Sequence, residues 1–460
     1  MDISAALAKI TGPSHVLTAN DTIRYAHDTT GAYNSTPLAV VRPANTEQVS
    51  EIIKLANTTK TPVVPVSGNS GLVGGTFAKD AIMISLERMD TIRDLRPDAR
   101  IAIVGAGTII ASLQDAAEDH NLIFPLFFGA RGTAMIGGAL STNAGGSNVL
   151  RYGNTRALCL GLEVVLPSGE VMNLMSELHK DNSGYDLKDL FIGAEGTLGI
   201  ITSAVLKLFP KPESYATAMV AVPTLTDALS LLNRLQTETG GLVEAFEYMP
   251  RSFMDMFAAH FPDARPPFDT KYDVNILVEV ATTAPTTPVN EILENALGEM
   301  METGTVLDAV IAQNEAQRSE MWKRREASAE VVFAISPRVD TDICLALDKV
   351  GTFFERADAL VADLDAGAKT TCVAHLGDGN VHYTVLPTLA DKQLAHSMME
   401  AIEEVVQELG GSFSAEHGVG LSKRPSMARR KDAAALIAMR QIKTALDPNN
   451  IMNPGKVLPD

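Results

Sequence analysis

The chain is poor in the residues that announce several common functions. Its 460 residues include only three cysteines, one tryptophan and 5% aromatic side chains. Cys159, Cys344 and Cys372 are scattered and odd in number, and no C-x-x-C occurs. That excludes a disulfide framework and points to a reducing, cytoplasmic setting. Positive charge is short as well. The 38 Lys and Arg stand against 56 Asp and Glu, a net charge of −18. Nucleic acid and anionic membrane are poor partners for such a surface. No apolar run approaches the ~20 residues needed to span a bilayer. The opening MDISAALAKITGP has neither a basic region nor an apolar one, so no signal peptide is expected. G-x-x-x-x-G-K-S/T is missing, and so is G-x-G-x-x-G between a strand and a helix, which argues against P-loop and ordinary NAD sites.

What is present is a globular composition, with 46% hydrophobic and 20% charged residues, and enough length for two or three domains. Up to about residue 212 short β-rich runs alternate with helix and glycine is dense. Strands are expected at 38–41, 62–66, 81–86, 101–104, 160–166 and 199–209. A helix capped by Thr46 carries the apolar stripe Val49, Ile52, Ile53 and Ala56. Composition shifts at Pro210-Lys211-Pro212. From 213 to about 410, strand candidates (216–222, 243–248, 275–280, 340–347, 371–375) alternate with amphipathic helices, one of them spanning about 315–333. This pattern reads as α+β, an antiparallel sheet with helices on one face. From 411 to 460 a glycine loop, a helix and DPNNIMNPGKVLP form a C-terminal segment.

Two glycine-rich loops, 67–75 and 129–146, and a third stretch, GAEGTLG at 193–199, lie within the first part. Glycine lets consecutive backbone N–H groups turn toward one anion. One such loop reads equally as a tight turn; three in one span point to a large phosphate-bearing cofactor.

The second signal is histidine. His375 and His382 flank Gly377-Asp378-Gly379-Asn380, and Glu416-His417 follows downstream. Asp-Gly between alternating apolar runs predicts a hairpin. In symmetric register the two imidazoles oppose each other on one face, with Cβ atoms roughly 5 Å apart. Glu416 would complete a His2Glu set, the ligand number of a catalytic metal. His417 is left as a base with a pKa range near neutrality. Asp378 is expected to bond its own backbone. The plainer alternative is a pair of solvent-facing histidines beside a turn.

The ordered segments PVVPVSGNSGLVGG, FFGARGTAMIGGALSTNAGGSNVLRYG, LGLEVVLPSGEV, KDNSGYDLKDLFIGAEGTLGIIT, HLGDGNVH, SAEHGVGLSKR and DPNNIMNPGKVLP resemble the FAD-dependent 2-hydroxy-acid dehydrogenases of the vanillyl-alcohol-oxidase superfamily. That group includes D-lactate dehydrogenase, the glycolate oxidase flavin subunit and D-2-hydroxyglutarate dehydrogenase. The likeness runs over residues 20–460. It implies a two-subdomain FAD-binding domain of PCMH type (1–212), a substrate domain (213–410) and a C-terminal segment returning to the flavin (411–460).

By resemblance, FAD is held by Pro65, Ser67, Gly68, Asn69, Ser70, Gly71, Gly74 and Gly75 in the first loop. Gly129, Gly132, Thr133, Gly137, Gly138, Thr142, Asn143, Gly145, Gly146 and Gly153 serve in the second region. Glu195, Gly196, Gly199, Ile200, Ile201 and Asn453 complete the set. The first loop has neither His nor Cys, so the flavin is expected to be non-covalent. Hydride would pass from C2 of the substrate to flavin N5, with zinc or manganese on His375, His382 and Glu416, and His417 as the base. Arg325, Arg338 and Thr384 are the substrate candidates. Ala329, Thr384 and the run DTDICLAL depart from the dicarboxylate pattern, whereas SAEHGVGLSKR and HLGDGNVHY resemble the hydroxyglutarate type; D-2-hydroxyglutarate is the first expectation, D-lactate the second, and a glycolate-oxidase-type flavin subunit of a complex the further alternative. An electron-transfer flavoprotein, quinone or cytochrome would take the electrons, and a homodimer is expected from the relatives.

Overall fold

The computed structural model describes residues 2–460. It divides into two compact units. Unit one comprises the chain up to Gly145, Gly153–Lys211 and Glu416–Asp460; unit two comprises Gly146–Tyr152 and Pro212–Ala415. The chain leaves unit one within Pro210-Lys211-Pro212. Residues 146–152, expected in the first domain, belong to unit two, as do 411–415, expected in the C-terminal segment.

Unit one carries two main sheets. A four-stranded sheet runs in the order Val16–Leu17, Ala39–Val41, Ile82–Ser85, Val63–Val66, and its last three strands are parallel. Helix Thr46–Thr59 makes the crossover between two of them and buries Val49, Ile52, Ile53 and Ala56. Its cap is Asn45, whose side chain accepts the Gln48 N–H, so Thr46 stands one position inside the cap expected for it. A five-stranded antiparallel sheet follows the order Ile92–Arg96, Ile101–Gly105, Ile200–Lys207, Cys159–Val165, Val171–Leu174.

Unit two is built on an antiparallel sheet in the order Asp308–Ile311, Ser214–Val222, Val274–Thr282, Val243–Pro250, Lys369–His375, Asn380–Leu386, Val339–Asp340, with Ile343–Cys344 also on Asn380–Leu386. One face is covered by helices Leu225–Thr239, Val289–Glu302, Val350–Leu364 and Lys392–Glu408, and it holds the larger core. The other face is not bare as expected. Phe253 and Phe257 of helix Arg251–His260 and Met321 of helix Glu315–Glu326 pack on Met219, Met249, Leu277 and Val373.

Two expected elements are broken. The 315–333 helix stops at Glu326, where Ala327 flattens to ψ 0°, and resumes as Ser328–Phe333. The 340–347 strand is split into Val339–Asp340 and Ile343–Cys344, and between them the Asp342 carboxylate accepts the Asn380 side-chain amide at 3.0 Å.

Candidate functional site

In unit one the three glycine stretches converge. The loop after strand Val63–Val66 contains Ser67, Gly68, Asn69, Ser70, Gly71, Gly74 and Gly75. Among the described residues, the N–H groups from Gly68 to Thr76 donate to no protein acceptor. Gly68 is obligatory there, since a Cβ would stand 2.2 Å from the Thr133 carbonyl oxygen. The loop with Gly129, Gly132 and Thr133 is thus pressed against the first one. Helix Ile136–Thr142 follows, with Gly137 and Gly138 in its first turn and Asn143 as its left-handed cap, and then Gly145.

Glu195, in the third stretch beside Gly196, has a buried carboxylate that accepts the N–H groups of Val419 (2.7 Å) and Gly420 (2.8 Å). Burial pushes its carboxyl up, and the two amide bonds only partly oppose this. Gly199, Ile200 and Ile201 lead into the central strand, and Gly153 precedes a short helical turn. Asn453 Nδ2 donates to the carbonyls of Glu195 (2.7 Å) and Gly75 (3.1 Å), while its buried Oδ1 has no protein partner. Pro65, on strand Val63–Val66, packs 2.4 Å from where a Gly196 Cβ would stand. Unpaired amides and an orphaned buried oxygen suit a phosphate-bearing group that both accepts and donates hydrogen bonds.

In unit two the hairpin forms, but not in the symmetric register. The loop is Leu376–Gly379, so His375 pairs with Asn380 and His382 with Val373. The two histidines are therefore diagonal rather than opposite. Spacing by two still puts them on one face, with ring centroids 5.6 Å apart. Asp378 Oδ1 accepts the Asn380 N–H, as expected of a turn aspartate.

Two acids that no sequence motif marks organise this face. Glu247, on the neighbouring strand and opposite His375, is fully buried. Its Oε1 lies 2.8 Å from His375 Nδ1, and its Oε2 accepts Arg325 Nε at 2.6 Å. Burial raises its carboxyl, but the charges of His375 and Arg325 outweigh that and hold it below the ordinary range. Arg325 is itself buried and also reaches Ser328 Oγ at 3.3 Å. Asp342 is the second acid; its Oδ1 lies 3.8 Å from His382 Nδ1. The signal in the sequence was an acid within an apolar strand, Glu247 in VEAFEYMP, which composition alone does not separate from a surface position.

The Ala415 N–H lies 3.3 Å from Asp342 Oδ2. Glu416 is the next residue, so covalent geometry holds its Cα about 3.8 Å from that of Ala415. Asp342, His382, Glu416 and His417 each offer an atom of metal-ligand type. Further along the hairpin, Thr384 donates to Asp340 Oδ1 at 3.0 Å, and Arg338 Nε donates to Asp340 Oδ2 at 2.7 Å.

A family model described as FAD linked oxidases, C-terminal domain, matches residues 211–457, and one described as FAD binding domain matches residues 37–175. The chain is 34% identical over 461 residues to the D-2-hydroxyglutarate dehydrogenase of Stutzerimonas stutzeri (strain A1501), covering 98% of this chain and 97% of that one. It is 35% identical over 426 residues to the mitochondrial D-2-hydroxyglutarate dehydrogenase of Bos taurus, covering 91% and 76%. Among solved structures, p-cresol methylhydroxylase with substrate bound superposes with a TM-score of 0.77 at 16% identity, over 100% of this chain and 96% of that one. At that identity the likeness is one of fold.

Proposed function

The chain belongs to the FAD-linked oxidase family, and on that footing we propose that it is an FAD-dependent dehydrogenase oxidising an R-configured 2-hydroxy acid to the 2-oxo acid. D-2-hydroxyglutarate, the acid in the relatives' names, is the first candidate and D-lactate the second. The observation that carries the reading is the pair of histidines on one sheet face, with Glu247 holding Nδ1 of the first. A carboxylate on one ring nitrogen orients the other toward a ligand and raises its basicity.

FAD, held without a covalent bond, supplies the two-electron acceptor. His375, His382 and Glu416 would hold a divalent ion, zinc or manganese by the donor set, which would supply a Lewis acid for the substrate hydroxyl. Asp342 is a further donor beside His382. His417 takes the hydroxyl proton, and Arg325, steadied by Glu247, binds the C1 carboxylate. The amides of Gly68–Thr76 and the side chain of Asn453 hold the cofactor's phosphates and polar edge. Reoxidation by an electron-transfer flavoprotein, a quinone or a cytochrome, a homodimeric state and a cytoplasmic setting complete the proposal. No helix among the described residues is long and apolar enough to cross a membrane.

The test is anaerobic mixing of the purified yellow protein with each enantiomer of 2-hydroxyglutarate and lactate. Bleaching of the flavin by the D acids and not the L acids is expected. A flavin that no 2-hydroxy acid reduces would overturn the reading. His417→Asn is expected to keep its flavin and slow that bleaching by ~10²–10⁴.

A further inference from the structure

The sheet face with the two histidines ends in an acid. Asp340 lies directly opposite Thr384 in the strand pairing and diagonal to His382, a separation of roughly 7–8 Å. That is the reach of a short carbon chain whose C2 hydroxyl is held near the histidines. Asp340 Oδ2 engages Arg338 Nε, and the pair is partly exposed, at 28% for the arginine and 39% for the aspartate. Arg338 is drawn inward by two more bonds, from Nη1 to the carbonyls of Phe333 and Ile335, 3.2 Å each. Its guanidinium also lies over the Phe333 ring, 4.6 Å from the centroid. Of its donors, Nη2 alone has no protein acceptor among the described residues. Arg338, one of the substrate candidates named from the sequence, is therefore neutralised by an acid two residues away.

We infer that Asp340 is a specificity-determining residue that weakens recognition of a second carboxylate, so that the site ranks 2-hydroxy acids by the charge at their far end. The inference rests on the 2-hydroxy-acid reading above. A distal carboxylate meets a carboxylate–guanidinium pair of no net charge and an acceptor oxygen that repels it. A monocarboxylic acid has no such group and is indifferent to Asp340. Thr384, whose hydroxyl is already donated to Asp340, is withheld from the substrate as well.

The experiment compares kcat/KM for D-2-hydroxyglutarate and D-lactate in the wild-type holoenzyme, Asp340→Asn and Arg338→Gln, with flavin content recorded for each. Asp340→Asn should raise the ratio of the first acid to the second by roughly tenfold, chiefly through KM, the scale of one partly solvated charge at contact range. Arg338→Gln should lower the ratio, because it leaves the acid uncompensated. A merely structural salt bridge would depress both acids alike in both variants. An unchanged ratio in Asp340→Asn, or movement in the same direction in both variants, overturns the inference. If one variant purifies without flavin, the direction of the other decides. Wild-type protein that oxidises neither acid overturns the 2-hydroxy-acid reading and this inference with it.

Discussion

Glu247 binds Arg325 and His375 at once and has no access to water. A buried charge with two partners is costly to break from either side, because the survivor is left unpaired in a poorly polarisable environment. Glu247→Gln should cost about 3–5 kcal/mol in urea unfolding near neutral pH. The acid limb carries a signature. A carboxyl held below its ordinary value stabilises the fold above about pH 4.3, the unfolded value, and that share is lost as pH falls through the lower folded value. The gap in unfolding midpoint between wild type and Glu247→Gln should therefore narrow on acidification; a gap that stays constant would show that the charge contributes nothing. At this scale the sequence pointed to His375, His382, Glu416 and His417 by residue type and spacing. It could not point to Glu247, 128 positions before His375 and brought opposite it only by strand pairing.

The glycine loops are legible as loops, whereas their mutual fit is not. Gly68 meets the carbonyl of Thr133, and Gly420 meets the carbonyl of Val73, 2.2 Å from where its Cβ would stand and at φ +49°. Each is a place where one element passes backbone to backbone over another. Gly68→Ala should push the first two loops apart and break the run of open amides. The expected outcome is a folded protein whose ratio of flavin to protein absorbance falls sharply and recovers only partly with added FAD. Full flavin occupancy in that variant would show that the first loop does not carry the phosphates. The broken elements teach the same lesson. Residues 315–333 are expected as one helix; the helix stops at Glu326, beside the bonds of Arg325 to Glu247 and Ser328, partners that no local pattern announces.

At the scale of the whole molecule, all but Gly146 of the proposed flavin set lies in unit one; of the proposed metal ligands, His375 and His382 belong to unit two and Glu416 to unit one. Because no residue is shared between the two sets, a chelator should abolish turnover and leave the flavin spectrum and flavin content nearly unchanged, with added zinc or manganese restoring activity. Full turnover in protein shown to be metal-free by elemental analysis would remove the ion from the proposal, and the histidines would then act through hydrogen bonds alone.

By itself the sequence determined the fold family, the three glycine loops and the short list of histidines, because these depend on local chemistry. Glycine at a turn, Asp-Gly in a hairpin and a histidine beside it are properties of a few consecutive residues. Tertiary structure alone decided the register that made His375 and His382 diagonal, the pairing of His375 with Glu247, and the placing of 146–152 in unit two. It also decided that Arg338 faces Asp340 rather than an empty pocket wall. Each of these depends on which strand lies beside which and in what register. A shift of one residue along a strand reverses every side chain on it, so no local pattern determines it.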